Sequence, residues 1–294
     1  MKLKQHLFLF SSLFIGMSAT AQDNDVVITS EKMSDNVTMI IGQGGNIGIF
    51  EADDHLLMID SQFGRITPQI LEEIKTISNK PLKVLLNTHH HGDHTGGNEN
   101  IAKEGAAIYA HQNVRKRMQE SIDEKGEPAE TALPVITFSD KLNLYIDNNE
   151  VMLFHPEAAH TDGDAIIYFV EQNVLHTGDV FFKGRYPYID LNSGGDIVGA
   201  QKAIKRMVML INDDTQIIPG HGSRALKVDL QKTLDMYDKS IAIISAEIEK
   251  GKTEEDVAKN TELTKDLDKD FYAEGAFISP ERWRTTVYKS LKGA

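Results

Sequence analysis

The run His89-His90-His91-Gly92-Asp93-His94 sets a cation-ligating pattern, His-x-His-x-Asp-His, within six residues. Any fold that uses it must bring these side chains together, and the flanking residues say how. Val84-Leu85-Leu86 follows Pro81 as a short apolar run that reads as a buried strand, and Gly92, Gly96 and Gly97 prevent that strand from continuing. The histidines therefore sit in a loop at a strand's end. Alternate residues His89 and His91 can aim at one point, while Asp93 and His94 fall beyond the turn and can aim at a second. Neutral imidazole and carboxylate are what Zn²⁺ takes when it keeps a position open for water. His-rich tracts also bind metals nonspecifically, but such a tract needs neither the interposed Asp nor the glycine. Metal-dependent hydrolysis is the chemistry this run points to.

Three later residues share the same setting, each where an apolar strand meets glycine. His160 lies in Ala158-Ala159-His160-Thr161-Asp162-Gly163-Asp164, Asp179 ends His176-Thr177-Gly178-Asp179, and His221 lies in Pro219-Gly220-His221-Gly222.

At the N-terminus, Lys2 and Lys4 precede the apolar stretch Leu7 to Met17, and Ala19-Thr20-Ala21 supplies small residues for cleavage, the pattern of a secretory signal peptide over 1–21. The stretch is short and broken by Ser11 and Ser12, which argues against a membrane anchor. The expectation is an exported protein, periplasmic or secreted, that starts at Gln22 and has no stable membrane insertion; a retained anchor is the alternative. With no cysteine in the chain, stability must come from the core, and no thiolate can serve as a metal ligand. The remaining 273 residues (294 minus 21) suffice for one large core, and no Ser- or Pro-rich linker divides them, so 22–294 reads as a single domain. Net charge is −13, or about −15 without Lys2 and Lys4, which disfavours nucleic acid as a partner and leaves a small molecule.

Alternation predicts strands at 37–41, 47–50 and 56–60 joined by hairpin turns at Gln43 to Asn46 and at Asp53-Asp54. Ile70, Leu71, Ile74 and Ile77 give Thr67 to Ser78 a helical spacing. A helix is expected after the ligand run, then a strand at 107–109, a helix at 113–121 and a surface loop over 123–134. The second half repeats the outline, with strands near 135–138, 142–146, 151–155, 165–170, 174–176 and 217–218 and a helix at 198–210. A core over about 26–224 is thus followed by a helical tail, 225–294, in which Thr253 and Asp256 form a plausible capping box.

In order and context, the Asp60 strand end, the His89 to His94 run, His160, Asp179 and His221 resemble the metallo-β-lactamase superfamily of binuclear zinc hydrolases over about residues 26 to 224. The resemblance implies an α/β fold: a four-layer αβ/βα sandwich of two mixed sheets flanked by helices, with the site along one edge. It implies a first metal held by His89, His91 and His160 and a second held by Asp93, His94 and His221, with Asp179 bridging, hence two Zn²⁺ per chain. The best-known zinc β-lactamases are similar at His160 and His221 but carry cysteine where Asp179 stands. A bridging aspartate resembles the glyoxalase II type and makes a harder site, open to Fe or Mn as well. The implied reaction is hydroxide attack on an acyl carbon of a small molecule, with Asp93 orienting the nucleophile or passing its proton.

Around this set, Asp60 is either a partner for a ligand histidine's N–H or an ordinary strand-end turn residue. By alternation His90 points away from the ligands. His55, His111, His155 and His176 read as turn, surface or core residues. Lys183, Arg185 and Tyr186 follow Asp179 and either bind a substrate carboxylate or belong to a solvated loop. Gly44-Gly45-Asn46 is a mobile flap or a tight turn, and Ser193-Gly194-Gly195-Asp196 is placed to line the mouth. The leading expectation is a β-lactamase-like activity. The alternatives are a glyoxalase II-like thioesterase or lactonase, and a metal-binding protein without turnover.

Overall fold

Four short strands come first among the described residues, as an antiparallel meander: β1 (Thr29–Lys32), β2 (Val37–Ile41), β3 (Ile47–Glu51) and β4 (Leu56–Ile59). This computed structural model describes residues 26–293, so the signal peptide expected over 1–21 lies outside the described residues. All four residues of β4, and the first four of both β2 and β3, are buried, the mark of strands covered on both faces. Helix α1 (Thr67–Ile77) starts with Pro68 in its first turn and buries Ile70 and Ile74. It crosses over to β5 (Leu82–Leu86), parallel to β4, and parallel pairing continues through β6 (Ala107–His111) and β7 (Ile136–Phe138).

Between β5 and β6 lie α2 (Gly92–Thr95) and α3 (Asn98–Lys103), and α4 (Gln112–Lys125) precedes β7. The ligand run is therefore not a bare loop, because its second half forms a helical turn. The surface loop expected over 123–134 is present in its middle, where 126–131 are mostly exposed, and is corrected at its two ends. Its start continues α4, and a 3₁₀ turn at Glu130–Ala132 buries Ala132 and Leu133, with the Ala132 carbonyl accepting from Asn98.

The second sheet runs β12-β11-β10-β9-β8, built from β8 (Lys141–Ile146), β9 (Asn149–Phe154), β10 (Ile166–Phe169), β11 (Val174–His176) and β12 (Gln216–Ile218). Only β11 and β12 pair in parallel. Its inner face (Val151, Leu153, Ile167, Phe169) packs on Met39, Phe50, Leu57 and Leu86 of the seven-stranded sheet, with Phe50 and Phe169 stacked at 5.2 Å. The outer face of the first sheet is covered by α1 and α3, and that of the second by α5 (Ile197–Leu210), α6 (Lys227–Glu249) and the tail. The result is a four-layer αβ/βα sandwich with C-terminal helices.

The tail consists of α6, α7 (Glu254–Lys259), α8 (Lys265–Phe271) and α9 (Pro280–Lys292), and Thr253 and Asp256 do form the capping box. Trp283 is fully buried, stacks on Tyr186 at 5.0 Å and donates to Ser240 Oγ. Arg284, also buried, donates to the Ala258 carbonyl and to Thr264 Oγ1, so one guanidinium ties the ends of α7 and α8 to α9. Satisfying those donors offsets the large cost of burying the charge.

Candidate metal centre

The parallel pairs β4–β5 and β11–β12 place four strand ends side by side, and each delivers a site residue. Asp60 follows β4, the His89 to His94 run follows β5, Asp179 follows β11 and His221 follows β12, while His160 comes from the β9–β10 connection. Asp60 has φ of 60°, a left-handed conformation that Asp tolerates better than most residues and that concentrates at functional sites. Gly220 is required by close approach, since a Cβ there would fall on Asp179 Oδ1.

Two groups of donors converge. His89 Nε2 lies 3.1 Å and His160 Nε2 lies 3.0 Å from His91 Nδ1, and Asp179 joins these three residues in one cluster. Asp93, His94 and His221 form the second, with His221 Nε2 3.3 Å from Asp93 Oδ2. Asp179 stands between them: Oδ2 is 3.7 Å from His160 Nε2 and 3.5 Å from His221 Nε2, and Oδ1 is 3.1 Å from His94 Nε2. His94 Nε2 and Asp179 Oδ1 are buried and face each other, but neither makes a well-aligned hydrogen bond to any other group. Such orphaned atoms are costly unless something positive completes them. Five imidazoles and two carboxylates, with no thiolate in the chain, fit divalent cations of borderline to hard character.

The far nitrogens of four of these rings are held. Thr88 Oγ1 lies 3.0 Å from His89 Nδ1, Asp190 Oδ2 lies 2.9 Å from His91 Nε2, the Tyr188 carbonyl accepts from His160 Nδ1 at 2.7 Å, and Asp60 Oδ2 lies 2.7 Å from His94 Nδ1. Asp60 also accepts from the Thr88 N–H and hydroxyl, so one carboxylate orients two ligand-bearing segments.

Electrostatics follow the geometry. Burial pushes His89 well below the ordinary histidine range and His160 down to about 4, so both are neutral, the form that ligates. At His94 and His221 burial acts in the same direction, but the neighbouring carboxylates, Asp179 foremost, outweigh it. His94 is held well above its usual value and His221 is raised to about 9. Burial opposes the charge of Asp179 too, yet His94 and His221 hold its carboxyl well below the usual range.

A cleft of about 560 Å³ opens over the cluster, lined by His91, Asp93, Asp179 and His221 at its floor and by Phe63, Phe182, Tyr186 and Tyr188 on its walls. Among the described residues, Arg185 is the only Lys or Arg lining it. Lys183 is turned away: its Nζ donates to the Arg224 carbonyl and lies 3.6 Å from Asp229, against a different depression. Tyr186 presents its ring, but its hydroxyl donates to Asp268 at 2.6 Å.

Gly44-Gly45-Asn46 is a clamped turn and not a free flap. Gly45 N–H donates to the Asp93 carbonyl, and Asn46 Nδ2 donates to the carbonyls of Pro219 and Gly222. The Ser193 to Asp196 loop backs the site instead of lining its mouth, with Gly195 packed on the His160 carbonyl and Asp196 capping α5. His90 lies behind His91, its Nε2 3.4 Å from Ser193 Oγ. His176 is a core residue whose Nε2 donates to the Asn46 carbonyl, and His111 stacks on His155 at 3.9 Å. Sequence reasoning missed Asp190, whose partner is far away in the chain, and the aromatic walls, which carry no local signature.

A family profile described as the metallo-beta-lactamase superfamily matches residues 40–238. A hydroxyacylglutathione hydrolase of Pelagibacter ubique is 30% identical over 147 residues, 49% of this chain and 53% of that protein, so the chain spans about half the length of that relative. One from Haemophilus influenzae is 32% identical over 149 residues, 48% of this chain and 69% of its own. In fold, the chain is similar to a metallo-beta-lactamase from Pontibacter korlensis, with a TM-score of 0.62 and 20% identity over 72% of this chain and 99% of that one. The profile spans most of the chain and every donor of both clusters, so the protein belongs to the metallo-beta-lactamase superfamily.

Proposed function

We propose that the protein is an exported dinuclear zinc hydrolase that cleaves an acyl bond of a small, largely apolar molecule bearing one anionic group, with a β-lactam amide as the leading substrate. The observation that carries this reading is the pair of donor clusters joined by Asp179 at the floor of an aromatic cleft. His89, His91 and His160 would hold one ion and Asp93, His94 and His221 the other. When bound, the ions lower the pKa of water toward neutrality and polarise the carbonyl under attack; a bridging carboxylate also suits Fe or Mn.

The chain's own groups do the rest. Burial opposes the charge of Asp93, but His221 and His94 keep its carboxyl below the usual range, so it is a base at neutral pH. It lines the cleft beside His221, placed to accept the attacking water's proton and pass it to the leaving group. Arg185, exposed at the rim, suits a substrate carboxylate. Aromatic walls exclude water and accept the apolar body.

A hydroxyacylglutathione thioester is the second reading, favoured by the named relatives and by Asp179. Arg185 as the one lining cation among the described residues matches the several charged groups of glutathione less well. The test is hydrolysis of a chromogenic cephalosporin and of a hydroxyacylglutathione by the zinc-loaded protein, with a chelated sample and His91→Ala as controls. Chelator-sensitive cephalosporin turnover at or above about 10⁴ M⁻¹s⁻¹ in kcat/KM supports the first reading. Turnover of the thioester alone supports the second, and His91→Ala is expected to lose at least one ion and nearly all activity. Activity retained in His91→Ala would overturn the site assignment.

A further inference from the structure

The wall of the cleft farthest along the chain belongs to the tail. Ala276, Phe277 and Ile278, in the connection between α8 and α9, line the same cleft as His91, Asp93, Asp179 and His221, although they lie beyond the region matched by the family profile. Phe277 is 71% exposed. What distinguishes this exposed ring is its place: an apolar group bound in the cleft would cover it and gain the free energy of the area removed from water.

Its ring is nonetheless held in place. Its edge meets Tyr188 at 5.6 Å and 84°, the Arg282 guanidinium sits 4.5 Å from its centroid, and Arg282 Nη1 donates to its carbonyl. Arg282 also lies 5.2 Å from the Tyr188 ring. Tyr188 in turn stacks on His91 at 5.9 Å and accepts from His160 through its carbonyl. A continuous chain of ring contacts thus runs from the first donor cluster, stacked at His91–Tyr188 and edge-on at Tyr188–Phe277, with the Arg282 guanidinium over both outer rings.

We propose that Phe277, presented by the α8–α9 connection, is a specificity-determining residue that selects substrates with an aromatic or bulky apolar group. Its ring packs on that group while the substrate's anionic end faces Arg185. The proposal rests on the hydrolase reading for the use of the cleft, and on the geometry for where the apolar group lies.

The test is calorimetric binding of 4-phenylbutyrate and of butyrate to the zinc-loaded protein, its Phe277→Ala and Arg282→Ala variants, and Phe277→Leu. The wild type should bind the phenyl compound at least about tenfold more tightly than butyrate. Phe277→Ala should lose about tenfold for phenylbutyrate, the scale expected for uncovering part of an aromatic side chain. Butyrate affinity, bound metal and melting temperature should be unchanged in that variant. Phe277→Leu and Arg282→Ala should lose a smaller part. A wild type with no preference, a Phe277→Ala variant that keeps it, or an equal loss for both ligands overturns the proposal. If the Phe277 dependence is present and no acyl substrate is turned over, the wall stands and the hydrolase reading falls.

Discussion

An imidazole can present only one nitrogen to a cation, and here the other nitrogen of His91 is met by Asp190 at 2.9 Å. That contact decides which way the ring faces and adds electron density to it. Burial opposes the charge of Asp190, but hydrogen bonds from His91 and Ser193 hold its carboxyl well below the ordinary range, so it is ionised. Asp190→Ala is therefore expected to weaken metal binding by about 10- to 100-fold with the helical circular dichroism signal intact. Competition against a chromophoric chelator measures this, and an unchanged affinity would remove Asp190 from the site. The clustered donors themselves were legible because their chemistry is local: His89, His91, Asp93 and His94 are near neighbours, and His160, Asp179 and His221 each sit beside a strand-ending glycine. Asp190 was not, because its partner is 99 positions away and its only local trace, a side-chain bond to Ser193 N–H, is that of any capping aspartate. Lys183 failed for the converse reason, since a cation near Asp179 in sequence finds the Arg224 carbonyl outside the cleft.

Elements with a full period were readable from the chain. The β2–β3 and β3–β4 hairpins follow from short apolar runs bounded by Gly and Asp turns, and α1 from the apolar spacing of the one face it buries. The single turn α2 has no period to detect, so the helical half of the ligand run stayed hidden. The β2–β3 turn shows how tertiary contacts settle what pattern leaves open. Its glycines permit movement, yet Asn46 reaches across to the carbonyls of Pro219 and Gly222 on either side of His221. These two bonds join a hairpin of the first sheet to a loop of the second. Asn46→Ala should cost about 1–3 kcal/mol, because one buried and one half-buried acceptor lose their donor, and should speed amide exchange in residues 219–223. Urea denaturation and hydrogen-exchange mass spectrometry would read both, and an unaltered midpoint with unaltered exchange would show the turn to be independent of the loop.

Across the whole molecule the donor clusters lie on the seam of the sandwich. Asp60 and the His89 to His94 run come from the seven-stranded sheet, while His160, Asp179 and His221 come from the five-stranded one. Ions bound there stabilise the folded chain by about 2.7 kcal/mol per site at a hundredfold excess over Kd. At roughly 2–4 °C per kcal/mol for a domain of this size, chelation should lower the melting temperature by about 10–20 °C, and Zn²⁺ should restore it. Scanning fluorimetry with and without chelator measures this, and no shift would mean that the seam holds no metal. The tail was legible as helices, through Leu230, Leu234 and Ile244, but periodicity says only that a face is covered and not what covers it. Its docking against Tyr186 and the reach of Phe277 into the cleft depend on packing that no local pattern encodes. That docking carries the chain's sole tryptophan, Trp283, whose indole stacks on Tyr186, itself a wall of the cleft. The protein thus has an intrinsic fluorophore at one address, and its emission spectrum belongs to the joint between tail and cleft, with no other indole to dilute it.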